Sequence, residues 1–180
     1  GTQRVARAAR GAPPSPQPSR PVDLLLDGLA IRFIDGYAAG VPPLHGALEA
    51  FRRQESPSRN ELDWLWLACR IAADLWDDDT WHELAARQVR AARDVGALSI
   101  LPIAATYRAG VHVHAGEFAS AAELIAEADA IVEASGSAPL MYTSLVLAAW
   151  RGREKQVMEL IGAGIDDATR RGEGRTLALA

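Results

Sequence analysis

Turn residues recur along this chain at nearly fixed intervals, and no other feature restricts its fold as much. Breaks fall at Gly40, Asp78, Gly116 and Gly152, spaced 38, 38 and 36, and stops fall at Gly96, Gly136 and Gly172, spaced 40 and 36. Between them the apolar residues follow a helical period, and few segments show the alternation of a half-buried strand. A period of 36–40 residues with two helices per unit predicts an all-α chain, an α-solenoid of antiparallel helix pairs. One helix hairpin cannot bury both of its faces, whereas stacked hairpins share a continuous core.

Composition supports the helices. Ala (35) and Leu (20) supply nearly a third of the 180 residues, and both are strong helix formers. The spacing predicts helices over 22–38, 42–54, 60–76, 80–95, 98–115, 118–135, 139–151 and 154–171, with another beginning near 175. Ser58-Arg59-Asn60-Glu61 and Thr80-Trp81-His82-Glu83 each fit a capping box, in which a hydroxyl and a Glu satisfy free N–H groups reciprocally. Gly96, Gly136 and Gly172 suit helix ends because glycine adopts the left-handed conformation freely.

Charge divides the chain. Residues 1–20 carry Arg4, Arg7, Arg10 and Arg20 and no acid, while the other 160 hold 15 basic and 23 acidic side chains, a net of −8. Pro13, Pro14, Pro16, Pro18 and Pro21 fix φ and remove N–H donors. Residues 1–21 are therefore expected to be a basic, Pro-rich linker, with Thr2 to Arg10 the last turns of a helix. Residues 22–180 are expected to be a helical-repeat domain of about four pairs. An acidic body repels phosphates, so no direct nucleic-acid contact is expected. No run of 18 apolar residues is present, and no membrane partner is expected.

Gly116, Phe118 and Ala121, with Ala128 seven residues on, resemble the core of a tetratricopeptide repeat, which implies a right-handed superhelix. The period is longer than that family's, and its Trp-Leu-Gly-Tyr signature is absent. A second resemblance runs through nearly the whole chain. It rests on Asp27-Gly28-Leu29-Ala30, Gly36-Tyr37-Ala38-Ala39-Gly40-Val41-Pro42, Trp64-Leu65-Trp66-Leu67-Ala68 and Asp74-Leu75-Trp76-Asp77-Asp78. Tyr107-Arg108-Ala109-Gly110-Val111-His112, Ala115-Gly116-Glu117-Phe118 and Leu147-Ala148-Ala149-Trp150-Arg151-Gly152 extend it. Together these look like the central helical-repeat region of actinobacterial LuxR-type ATPase transcriptional regulators. That family implies a cytoplasmic regulatory arm between an ATPase module and a promoter-binding helix-turn-helix, both on the same parent chain. The pattern runs out mid-helix at Leu177-Ala178-Leu179-Ala180, as expected of a segment of a longer chain. A free-standing tetratricopeptide-type adaptor that holds a peptide is the alternative.

No residue pattern asks for catalysis. The one lysine, Lys155, follows Glu154, so there is no phosphate-binding loop. Gly172-Glu173-Gly174 follows a helix rather than a strand and reads as a stop. His112 and His114 stand two apart and point about 200° from each other on a helix. Asp77-Asp78-Asp79 lacks the glycine and distal Glu of a calcium loop and suits a helix N-terminus. The one cysteine, Cys69, excludes an intramolecular disulfide and a four-Cys zinc site and reads as a buried thiol. The expectation is a binding protein, not an enzyme, with no cofactor and no metal in this segment.

Helix 60–76 is apolar nearly all round, with Asp63, Arg70 and Asp74 on one stripe, the pattern of a helix sandwiched between neighbours. Trp64, Trp66, Trp76, Trp81 and Trp150 are accordingly expected to be mostly core. Arg32, Arg70 and Arg108 are spaced 38 and 38, matching the repeat. They are expected to form a ladder on the concave groove, with His112 and Tyr142 beside it. There they would meet a carboxylate or phosphate of a small-molecule effector, or a protein or peptide. Internal pairing of Arg32 with Asp35 and of Arg70 with Asp74 is the competing expectation.

Overall fold

The computed structural model describes residues 2–13, 19–54, 59–137 and 140–172; the side chains of 59–61 and 63 lie outside the description. These residues are all-helical. In chain order the helices are α1 Thr2–Arg10, α2 Pro21–Asp35, α3 Tyr37–Arg53, α4 Arg59–Asp74, α5 Asp78–Asp94, α6 Leu101–His114, α7 Phe118–Ser135, α8 Met141–Trp150 and α9 Glu154–Arg171. Two of the predicted spans, 118–135 and 154–171, coincide with α7 and α9, and the others shift by up to five residues at an end. The Pro-rich run 14–18, the Ser58 cap and the helix expected near 175 lie outside the described residues.

The turns explain the period. Backbone φ is positive at Gly36, Trp76, Gly96, Gly116, Gly136, Gly152 and Gly172. Within a helix pair the turn residues are therefore 36, 76, 116 and 152, at intervals of 40, 40 and 36. Three of these turns share one construction. Asp77 donates its N–H to the Ala72 carbonyl at 3.0 Å, Glu117 to His112 at 2.8 Å and Arg153 to Ala148 at 2.9 Å. Each bond closes a left-handed helix end of the six-to-one type, satisfying a terminal carbonyl. The last interval is short because α8 has only 10 residues.

Two sequence-predicted breaks are corrected. Gly40 lies inside α3, which starts at Tyr37 and contains Pro42 and Pro43. The prolines forfeit hydrogen bonds only to Ala38 and Ala39, which are exposed, so the helix tolerates them so close to its start. Gly40 instead lets two helices touch: a Cβ there would lie 2.9 Å from the Arg32 Cα. Asp78 is likewise the first residue of α5, not the break. The cap is Asp77, whose carboxylate accepts the Thr80 N–H at 3.1 Å, so Thr80 is a buried third-position residue rather than the cap.

The chain packs as two compact units, Gly1–Val95 and Gly96–Ala180. In the first, α2 packs on α3 and α4 on α5, with α1 against α2. Its core is large and closed, with Leu25, Leu44, Leu48, Phe51, Leu62, Leu65 and Leu84 all but fully buried. The helix at the basic N-terminus packs through buried Ala6, and Arg10 reaches Asp35 at 2.6 Å. Arg87 closes the end of α3, donating to the carbonyls of Phe51 at 2.6 Å, Gln54 at 2.8 Å and Arg52 at 3.0 Å. Helix C-termini leave such carbonyls without intrahelical partners, and a guanidinium satisfies several at once.

The second unit pairs α6 with α7 and α8 with α9, and α8 also meets α6 and α7. Its centre is built from Ala109, Val113, Ala121 and Leu147, with Phe118, Leu124, Ile125 and Val146 packed around them. Arg151 donates to the Phe118 carbonyl at 2.7 Å with its guanidinium over the Phe118 ring.

Candidate functional site

The three arginines do not share a position. Counted back from the positive-φ residue that follows each first helix, at 36, 76 and 116, Arg32 lies four residues before it, Arg70 six and Arg108 eight. Each two-residue offset turns a side chain by about 200°. The spacing of 38 that suggested a ladder thus falls short of the structural period of 40.

What the fold does bring together is Arg32 and Arg70. Both guanidiniums reach the carboxylate of Asp74, Arg32 at 3.3 Å and Arg70 at 3.4 Å. The Arg70–Asp74 pairing follows the sequence expectation. Arg32 does not pair with Asp35, which Arg10 takes. The Arg32 guanidinium also lies 5.0 Å from the centroid of the Tyr37 ring, and the Tyr37 hydroxyl donates to the Asp74 carbonyl at 3.0 Å. Arg108, His112 and Tyr142 belong to the second unit. Arg108 is half-buried. His112 is half-buried on Glu117, Nδ1 to Oε2 at 2.5 Å, which ties the end of α6 to the start of α7. Tyr142 is 64% exposed.

The positions that do share register are ten, six and two residues before the turn. They are Leu26, Ala30 and Ile34 on α2; Trp66, Arg70 and Asp74 on α4; Thr106, Gly110 and His114 on α6; and Tyr142, Val146 and Trp150 on α8. Spaced by four, each trio lies along one stripe of its helix. In the second unit two contacts bring the α6 and α8 stripes side by side. His114 and Trp150, both two residues before their turns, have ring centroids 6.5 Å apart. Thr143, next to Tyr142, donates to the Thr106 carbonyl at 3.4 Å. The pair leaves Tyr142 and Trp150 exposed, the latter by 61%, on a stripe to which Gly110 contributes no side chain.

The tryptophans correct another expectation. Only Trp81 is buried; Trp64, Trp66, Trp76 and Trp150 are exposed. The apolar surround of α4 does not translate into burial all round, because its packed neighbours cover the side of Leu62, Leu65, Ala68, Cys69, Ile71 and Ala72 and leave Trp64 and Trp66 exposed. The sequence signal for the shared stripe was the interval of 40 between Gly96 and Gly136, which outranks the arginine spacing.

Other chemistry is sparse. Cys69 is fully buried, and burial pushes its thiol up to about 12, so it stays protonated at neutral pH. Among the described residues no group of three or more His, Cys, Asp or Glu side chains is placed to hold a metal ion. A shallow depression at the end of α7 is lined by Asp129, Val132, Glu133, Gly136 and Ser137, and partial burial raises the Asp129 carboxyl above its usual range. Among the described residues no helix is long and apolar enough to cross a membrane. Compared with protein-family models, curated proteins and solved structures, the chain matches none.

Proposed function

We propose that this chain is a helical-repeat binding module that holds a peptide or protein segment against the stripes of its first helices. The carrying observation is the α6–α8 surface, where in-register positions present Tyr142, Trp150 and His114 to solvent. Exposed Tyr and Trp at the centre of a patch are the residue types that dominate binding energies. In this reading the helix pairs stack as an antiparallel α-solenoid, tetratricopeptide-like in construction, and the module acts by binding rather than by chemistry.

The finer reading assigns the module to the regulatory arm of a LuxR-type ATPase regulator. It rests on the sequence resemblance. There the occupant would control an ATPase and a DNA-binding module by binding one arm conformation better than another, since only such a difference moves an equilibrium. A parent gene encoding a phosphate-binding loop upstream and a helix-turn-helix downstream would bear this out; a gene encoding neither would leave the adaptor reading.

The binding reading is tested by selecting peptides from a random library against this chain and mapping each by amide and side-chain NMR. Resonances of Thr106, Gly110, His114, Tyr142 and Trp150 are expected to move together. Selected peptides that all leave those resonances in place would refute the assignment.

A further inference from the structure

Trp76 breaks the rule that its sister turns obey. Among the described residues the other six positive-φ positions are all glycine, and Trp76 is the one residue with a side chain there, at φ 57°. A Cβ in this region crowds the following carbonyl, and glycine avoids that cost. The indole recovers nothing by burial, since Trp76 is 84% exposed. A tryptophan that is both strained and solvent-facing points to a use outside the fold.

Its surroundings select the occupant. Asp77, Asp78 and Asp79 follow directly. Asp77 is engaged as the cap of α5 and lies 3.7 Å from His45. Asp78 and Asp79 are exposed. They also sit in the first turn of α5, where carboxylates offset the helix dipole. They would repel a phosphate-bearing or acidic ligand, which sets nucleotides aside.

The same end of this unit shows what an aromatic ring and a carboxylate hold together here. The Arg32 guanidinium lies 5.0 Å from the Tyr37 ring centroid and 3.3 Å from the Asp74 carboxylate. Trp76 with Asp78 and Asp79 offers those two chemistries to solvent. We infer that Trp76, Asp78 and Asp79 form a docking point for an arginine side chain of a basic partner segment, the guanidinium stacking on the indole and pairing with a carboxylate. This site lies in the first unit and does not depend on the first-helix stripe of the second.

The test follows the Trp76 indole N–H resonance of the whole chain, assigned by its loss in Trp76→Phe. The probe is a peptide of alternating Arg and Gly, with a Glu-Gly peptide of equal length as control. The resonance is expected to move saturably with the basic peptide alone. The affinity should fall at least fivefold in Asp78→Asn/Asp79→Asn and weaken with added salt. Trp76→Gly should lose binding and yet unfold at a higher temperature, which separates a docking role from a structural one. The inference is overturned by an indole resonance that stays fixed or responds equally to both peptides. It is also overturned by unchanged affinity in the double Asn variant, or by a shift that follows protein concentration alone, which would mark the indole as a contact between copies.

Discussion

The two units solve the same packing problem differently. Among the described residues, the largest fully buried side chains Phe51, Leu25, Leu44, Leu48, Leu62, Leu65, Leu84, Gln88, Thr80 and Cys69 belong to the first unit and Val113 alone to the second. Polar ties join separate helices in both, through Arg32 to Asp74, Arg52 to Glu83 and Arg87 to the end of α3 in the first and through Arg151 to the Phe118 carbonyl and His112 to Glu117 in the second. The second brings helices close with alanines, and Tyr142, Trp150, Met158 and Leu98 stay exposed on it. A core of small residues lets helices approach but buries less apolar area per contact. The buried bulk predicts that stability is concentrated in the first unit, while both units keep large apolar side chains exposed, Trp64, Trp66 and Trp76 on the first and Tyr142 and Trp150 on the second.

The widest gap should appear on truncating each core. Phe51→Ala is expected to cost about 3–5 kcal/mol, and Val113→Ala about 2 kcal/mol, read by denaturant unfolding. Equal losses would erase the contrast. Next comes the α2–α3 contact. Gly40→Ala drives a methyl onto the backbone of Arg32 and should destabilise by about 1–3 kcal/mol, whereas the same change at Gly46, which has open space around it, should be neutral or stabilising.

Smaller effects sharpen the picture of the first unit. Both amide atoms of Gln88 are buried without a hydrogen-bond partner among the described residues, so Gln88→Leu should raise stability by about 1–2 kcal/mol. A lower unfolding midpoint would show that the amide is satisfied, for instance by water. Replacing strained Trp76 by glycine should add about 1 kcal/mol. Cys69, with its thiol pushed up to about 12, should react with a thiol reagent at pH 8 only as fast as the first unit opens. Rapid labelling of the native chain would show that this core is looser than its burial indicates.

Much of this was legible in the sequence. Gly96, Gly116, Gly136 and Gly152 marked real left-handed turns because glycine is the residue that takes them without strain. Trp76 hid the equivalent turn in plain view, since nothing local announces a tryptophan at positive φ. Asp78 and Gly40 therefore suggest a spacing of 38, two residues short of the structural interval of 40, and on it Arg32, Arg70 and Arg108 align where the fold does not align them. Pro42 masked the true start of α3, which depends on solvent reaching the carbonyls of Ala38 and Ala39 rather than on propensity. Which tryptophans are exposed was not readable either, because an apolar helix does not say how many of its sides acquire neighbours.

The most direct test takes a library-selected peptide and compares its affinity for the native chain with that for Tyr142→Ala/Trp150→Ala, alongside the unfolding midpoint. Both side chains are exposed, so the midpoint should scarcely move. If the second unit's aromatic stripe is the binding surface, affinity falls at least tenfold. Unchanged affinity in a fully folded double variant would contradict the account.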